Sequence, residues 1–456
     1  MSEETARLIP EQHEKLPFRL QLAFGVGHVL NDICSSMWFT YLLVFLHLVL
    51  EFDNWDAGFL LLVGQVADAI ANPFVGYQSD QRDTLWICRY GQRKIWHLIG
   101  TVCVLGAFPF IFLPCVSPDS QRSVQLFYFA VFIIIFQFGW AAVQIAHLSI
   151  MPELTADEHQ RTKLAATRYC FTVISNVLVY FVSWIIFRCE DGSERRISPS
   201  DTSDFQIIVW SGLGVGIICT IIYHLFVHED SSRFHDHHET EKISLGVGQI
   251  LQKVRYYQAA VVYMSTMLYI NLTQVFVPLY LHETLSMAAS ALAKIPLVIY
   301  LGSLFTSFLV GTLNKYLGRK VAYVMGAIVG LAGCTWIYLR SHTSNFTSYE
   351  IYIVAVLFGC ASSIVLVTNL GVTTDAIGDK TGSGAFVYGI MCFTDKLSNG
   401  IAVFVIQDLH KTFPNSEYYG HVLTFACGGA LLLGSLGVIS LSICKISKPN
   451  YTLVTE

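Results

Sequence analysis

The sequence predicts an all-α membrane protein with twelve transmembrane helices arranged as two six-helix halves. Three observations carry this. Of 456 residues, 54% are hydrophobic and only 13% charged, against about 25% charged in ordinary soluble domains, and mean hydropathy is +0.53. Apolar runs of about 20 residues, the length that crosses ~30 Å of hydrocarbon, recur along the whole chain. Two similar glycine-and-base turns stand at matching places in the two halves. Lipid offers backbone groups no partner, so each apolar run must be a helix.

In order, the spans are expected near 20–50, 57–79, 95–114, 123–147, 166–187, 205–227, 254–281, 290–313, 321–340, 349–371, 384–408 and 419–444. The first and seventh are long enough to tilt or to project from the bilayer. The chain divides into an N-terminal tail (1–19), a first six-helix bundle (20–227), a polar central loop (228–253), a second bundle (254–444) and a C-terminal tail (445–456). The opening "MSEETARLIPEQHEKLPF" is polar and shows no cleavable signal peptide. If the N-terminus is cytosolic, 19 of the 28 basic residues fall on the cytosolic side or at its border and six on the other. Arg168, Lys294 and Lys396 are left within spans. Positive charge stays on the cytosolic side of a membrane protein, which places both termini there.

The paired turns are "GYQSDQRDTLWICRYGQRK", with Asp80, Gly91, Arg93 and Lys94, and "GTLNKYLGRK", with Gly318, Arg319 and Lys320. Each sets glycines and bases at a helix junction. Such a turn can gate, pairing with acids in one state and releasing them in another. It also anchors the cytosolic face by charge alone. The "HDHH" run at 235–238 has no closed zinc spacing and reads as a polar linker, so no metal or cofactor is expected. No phosphate-binding loop and no nucleophile elbow occur, so an enzyme is not expected. A net charge of −5 gives no basic footprint for nucleic acid.

An ionisable residue deep in a span costs about 3 kcal/mol or more and normally faces a cavity or a partner. Three stand out: Asp32 in "GHVLND", Asp68 in "VADAIANPFVG" and Lys396 in "CFTDKLSNG". Asn72 lies four residues after Asp68, on the same helical face, and Pro73 follows it. Lys396 lies too deep to reach the interface, and its neighbour Asp395 points about 100° away.

The turn after the second span, with "FGVGHVLND", "VADAIANPFVG", "RYGQRKIW", "LSIMPELT" and "TTDAIGDKTGSGAFVYG", resembles the melibiose-type sugar–cation symporter branch of the major facilitator superfamily over roughly the whole length. That resemblance implies the facilitator fold and alternating access. It implies that Asp68 matches the first of two cation-binding acids, while Asn72 replaces the second. One carboxylate and one amide suit sodium less well than two carboxylates, whereas a proton needs only one. Lys396 matches a lysine facing those acids across the two halves, and Asp32 matches a substrate-holding acid. Gln144 stands where the family has a second such acid, and Arg168 matches a cavity arginine. An amino acid needs an acceptor for its ammonium and a cation for its carboxylate, roles open to Asp32 and Arg168. Arg168 can equally reach for the interface. The strings "GHVLNDICSSMWFTYLL", "FQFGWAAVQIAHLS" and "SGAFVYGIMCFTDKLSNG" resemble a vertebrate branch of the superfamily associated with cysteine import into lysosomes and melanosomes. A sugar–cation symporter and a non-transporting receptor on the same fold are the alternatives.

His28 and His147 are candidates for passing protons, or for capping a carbonyl. Asn271, Gln274 and Tyr300 are polar groups at membrane depth in the second half, while Lys294 lies near a span end. The twelve cysteines are mostly scattered in spans, with Cys115 and Cys189 in or near loops on one side, where they can form one disulfide if those loops meet. Asn345 in "NFT" is a candidate glycan acceptor in a lumenal loop, whereas the "NLT" at 271–273 falls within a span. At the ends, Glu4 precedes Leu8-Ile9, and Tyr451 precedes Val454 by three. Both patterns resemble signals read by clathrin adaptors. Changing Leu8 and Ile9 to alanine together with Tyr451→Ala is expected to divert the protein from lysosomes. Normal lysosomal imaging of that variant would make these patterns coincidental.

Overall fold

In a computed structural model, residues 16–80, 90–115, 120–155, 158–189, 196–229, 254–343, 345–377, 384–413 and 415–443 are described. The tail residues Glu4, Leu8, Ile9, Tyr451 and Val454, nearly all of the central loop with its "HDHH" run, and the Asp80 side chain lie outside them.

Among the described residues, twelve long helices follow one another. They are α1 Phe18–Val49, α2 Asn54–Asp80, α3 Gln92–Ile111, α4 Arg122–Leu154, α5 Glu158–Cys189 and α6 Thr202–Phe226. Then come α7 Val254–Thr284, α8 Ala291–Leu317, α9 Arg319–Arg340, α10 Phe346–Thr373, α11 Gly384–Thr412 and α12 Tyr418–Leu441. Among the described residues, all but α11 are long and apolar enough to cross a membrane by length and composition. Helix α11 is the one carrying Asp395, Lys396, Asp408 and Lys411. Large apolar side chains cover the outside: Phe305, Phe308 and Leu309 on α8 are 66–72% exposed. Water would not tolerate such a belt, and lipid does.

The two halves repeat one another in backbone detail. Helix α1 ends in a wide turn at Phe45–Val49 and α7 in another at Tyr280–Thr284. The Leu50 N–H returns to the Phe45 carbonyl at 3.0 Å, and the Leu285 N–H to the Tyr280 carbonyl at 3.0 Å. The next residue but one bonds back in each case, Phe52 to Leu46 and Met287 to Leu281, both at 2.9 Å. Between them stand the two non-glycine residues of positive φ, Glu51 (54°) and Ser286 (50°), among the described residues. This end closes both helices by satisfying orphan carbonyls within the chain. The paired turns repeat too: Gly91 and Gly318 have φ of 119° and 79°, a region that favours glycine, just before α3 and α9.

Helix α1 is interrupted at Gly27–His28, where the Gly27 N–H turns back to the Phe24 carbonyl at 3.1 Å. A Cβ on Gly27 would lie 2.4 Å from the Tyr223 ring, so glycine lets α6 close on the break.

Between halves, α2 packs along α11, α5 along α8, and α1 along α7. Several cross-half polar contacts gather on the face where α1 ends. His47 Nε2 lies 3.3 Å from Glu283 Oε1, Arg196 donates to the His282 carbonyl at 2.6 Å, and Asn54 Nδ2 meets His410 Nδ1 at 2.8 Å. These ties join the halves on that face, the far face; the opposite face, where α1 begins, is termed the entry face.

Cys115 is a free thiol, so its pairing with Cys189 is not formed; the Cys189 side chain lies outside the described residues. Asn345 is exposed immediately before α10, whereas Asn271 sits inside α7. Asn345→Gln is therefore expected to abolish a glycosidase-sensitive mobility shift. A shift that survives the substitution would contradict the placement of this loop on the lumenal side.

Candidate transport site

The site starts from a four-residue spacing. On α1, Asp32, Ser36 and Thr40 recur at intervals of four, as do Thr172, Asn176 and Tyr180 on α5. Four residues return a helix to nearly the same face, so each set forms a polar stripe. The stripes meet rung by rung. Thr172 Oγ1 donates to Asp32 Oδ2 at 2.9 Å, Ser36 Oγ donates to Asn176 Oδ1, and the Thr40 and Tyr180 hydroxyls are 2.7 Å apart. Buried polar groups away from water need such partners.

This ladder forms one wall of a cavity of about 270 Å³ at membrane depth. The opposite wall comes from the second half, where Gln274 Nε2 donates to the Tyr300 hydroxyl and the Tyr180 and Tyr300 rings lie 5.1 Å apart. Asn271 completes that side. Asp32 is 8% exposed and is the one carboxylate among the residues lining this cavity. Its Oδ1 faces His28 Nδ1 at 3.0 Å, and Arg168 Nη2 donates to His28 Nε2 at 3.1 Å.

One helical turn away, Ser35 and Phe39 line both this cavity and a smaller one bounded by Gln65, Asp68, Gln137, Trp140 and Lys396. There Lys396 Nζ meets Asp68 Oδ2 at 2.8 Å, joining α11 to α2. Asp68 is 1% exposed. Its other oxygen accepts from Asn72 Nδ2 at 2.7 Å, so the Asp68 carboxylate is held from both sides. The Lys396 ammonium also stands 4.6 Å from the Trp140 ring centroid, where the π face favours a cation. Next to it the motif repeats: Asp395 Oδ1 accepts from Asn399 Nδ2 at 2.6 Å. Helices α2 and α11 thus each present an Asp-x-x-x-Asn pair at their contact.

A family model described as "MFS/sugar transport protein" matches residues 23–409. The chain belongs to this family of the major facilitator superfamily. It is 40% identical to mouse "Major facilitator superfamily domain-containing protein 12" over 97% of both chains, and 41% identical to the human protein of that name over 86% of this chain and 85% of the other. Among solved structures it is similar to a D-xylose-proton symporter, with a TM-score of 0.69, 16% identity, and coverage of 93% of this chain and 97% of that one. At that identity the likeness speaks for the fold. The chain is accordingly a multi-pass secondary transporter and not an enzyme.

Within this facilitator frame, Asp32, Asn271, Gln274 and Tyr300 line the larger cavity, and Asp68 and Lys396 the smaller one. Arg168 is half-buried just behind Asp32, reaching it through His28. Gln144 is half-buried on α4, and its Oε1 has no hydrogen-bond partner among the described residues. His147 Nε2 donates to the Phe24 carbonyl at 2.7 Å. Lys294 is exposed, 5.1 Å from the Tyr352 ring centroid. In the paired turns, Lys94 Nζ donates to the His224 carbonyl at 3.0 Å, and the Arg93 and Lys94 amides donate to Glu229 at 3.0 and 3.1 Å. Arg319 donates to the Gly371 carbonyl at 2.9 Å, next to Lys320. These contacts close each turn onto its own half. Sequence reasoning missed Ser36, Thr40, Thr172, Asn176 and Tyr180; the i, i+4, i+8 recurrence of polar residues inside apolar spans was the available signal.

Removing one member of a buried ion pair costs about 3–5 kcal/mol, because the other is stranded. Asp68→Asn and Lys396→Met are each expected to lower thermostability, and the double variant to recover much of the loss. A double-mutant cycle measures the coupling; additive losses within about 0.5 kcal/mol would show that the two residues act independently.

Proposed function

We propose that this chain imports a small zwitterionic solute, cysteine, from the cytosol into lysosomes and melanosomes by alternating access between its six-helix halves, coupled to a proton. The observation carrying this reading is Asp32: one buried carboxylate, oriented by Thr172 and His28, on the wall of a cavity shared by both halves. A carboxylate fixed by donors on two sides keeps acceptor capacity for an ammonium group. The guanidinium of Arg168, one imidazole away, is the partner for a solute carboxylate. Ligand pockets commonly run from about 300 to 1,000 Å³, so a cavity of about 270 Å³ favours a small solute. The Asn72 amide on Asp68 supports proton over sodium coupling, since the side chain one turn along α2 from Asp68 is an amide and not a second carboxylate. The terminal signals and the family resemblance support the compartment, with both termini cytosolic and clathrin adaptors as partners. The halves are residues 20–227 and 254–444, and the paired turns around Gly91 and Gly318 gate the cytosolic side.

A sugar–cation symporter is the second reading, favoured by the hydroxyl and amide rungs Ser36–Asn176 and Thr40–Tyr180. Uptake of labelled cysteine, melibiose and other amino acids into reconstituted vesicles separates the two. Saturable cysteine uptake is expected, and Asp32→Asn is expected to weaken it about tenfold to a hundredfold, the worth of one charge-assisted hydrogen bond. Saturable melibiose uptake without cysteine uptake would overturn the amino-acid reading, and no saturable uptake of any solute would point to a receptor.

A further inference from the structure

Histidines bond two carbonyls at the break in α1, one of which, that of Phe24, also accepts from the Gly27 N–H at 3.1 Å. The Phe24 carbonyl accepts from His147 Nε2 of α4 at 2.7 Å, and the Gly27 carbonyl accepts from His97 Nε2 of α3 at 3.0 Å. His97 and His147 are fully buried. His97 Nδ1 then faces His224 Nε2 of α6 at 3.1 Å, and His224 Nδ1 faces the Tyr90 hydroxyl at 3.0 Å. His224 is half-buried and Tyr90 exposed, so this chain of contacts reaches the entry face. In the other direction the His97 and His147 rings are 6.2 Å apart, and those of His147 and His28 5.6 Å. His28 bonds Asp32 on the cavity wall.

With each imidazole neutral, the partners assign every proton. A carbonyl only accepts, so His97 and His147 carry hydrogen on Nε2. A guanidinium only donates, so His28 accepts from Arg168 on Nε2 and donates from Nδ1 to Asp32. Neutral His97 then accepts on Nδ1, His224 donates from Nε2, and the Tyr90 hydroxyl donates to His224 Nδ1. Each imidazole in this arrangement keeps one lone pair toward the entry face or toward a neighbour. The buried Nδ1 of His147 has no hydrogen-bond partner among the described residues.

We propose that His224, His97, His147 and His28 form a proton relay from the entry face to the cavity wall, ending on the His28–Asp32 pair. A proton taken on His224 Nδ1 is balanced by loss of the Nε2 proton to His97 Nδ1. His97 then carries two N–H groups, one still on the Gly27 carbonyl. Turning its ring passes a proton to the open Nδ1 of His147, and a turn of His147 passes one to His28 Nε2. Imidazolium at His28 has no lone pair left for Arg168, while the Nδ1–H stays on Asp32. The charged and titratable groups facing the relay are Lys94 and Glu229 at its mouth, Tyr90 and Tyr223 against His224 and His97, and Arg168 and Asp32 at its inner end. This inference rests on the transport reading above.

The test uses the full chain in proteoliposomes with labelled cysteine and a pH dye inside. Two quantities are read: cysteine–cysteine exchange, which needs no net proton movement, and cysteine-driven proton movement. His97→Gln keeps an amide donor for the Gly27 carbonyl but cannot pass a proton, and His224→Gln does the same nearer the surface. Both variants are expected to exchange cysteine like the wild type while losing about a hundredfold or more of the proton movement, the low side of what a positioned proton-transfer group contributes. Wild-type proton movement in both variants would overturn the relay. Loss of exchange in either variant would overturn it in favour of a structural pin for the α1 break. Exchange without proton movement in the wild type would overturn the relay and leave cysteine transport standing. No exchange in the wild type would overturn the transport reading itself, and the relay with it.

Discussion

A charge placed in hydrocarbon must find its counter-charge within the same chain. The bond between Lys396 and Asp68 meets that requirement at the contact of α11 and α2, where the two six-helix halves touch. Asp68 is fully buried and Lys396 lines only a small cavity, so each depends on the other, and the ion pair ties the halves together. Asn72 and the Trp140 ring take up what the pair leaves unsatisfied. Parting the halves there requires another charge to neutralise Asp68 or another acceptor to take Lys396. Movement between halves and binding of a charged species are therefore linked through this contact.

The same requirement organises α1. It is the most buried of the apolar spans, and it carries both the rungs of the cavity wall and an interruption in its own hydrogen bonding. A broken helix at membrane depth is tolerated where neighbouring side chains hold the freed carbonyls. Two imidazoles bond carbonyls at this break. The break lies one turn from Asp32, so the cavity acid sits where the backbone is least constrained by its own helix. Discontinuous helices at transporter sites exploit this same property.

The repeat between halves gives the molecule a way to close alternately. Helices α1 and α7 finish with the same turn, the same back-bonds and the same positive-φ residue. Because the ends match, they meet at the far face and carry the His47–Glu283 contact between them. The glycine-led turns before α3 and α9 repeat on the entry face, each bonded into its own half. Two similar bundles with one polar seam can rock about that seam with little internal change in either bundle.

What the sequence by itself determined is what depends on short range. Length and hydropathy yielded the helices. Four-residue spacing put Asp68 beside Asn72, and the same rule applied to Asp32, Ser36 and Thr40 would have disclosed the cavity wall of α1. The depth of Asp32, Asp68 and Lys396 marked them as needing partners, and the paired Gly-Arg-Lys turns announced two halves. Only the tertiary structure decided the contacts those residues make. It set Thr172 on Asp32 and Arg168 on His28 rather than directly in the cavity, and gave its geometry to the Lys396–Asp68 pairing that the family resemblance already implied. It also gathered His97 and His224, unremarkable in their spans, onto the break in α1. Helical periodicity reports which residues share a face, whereas the neighbour that a face meets is chosen by packing between helices far apart in the chain.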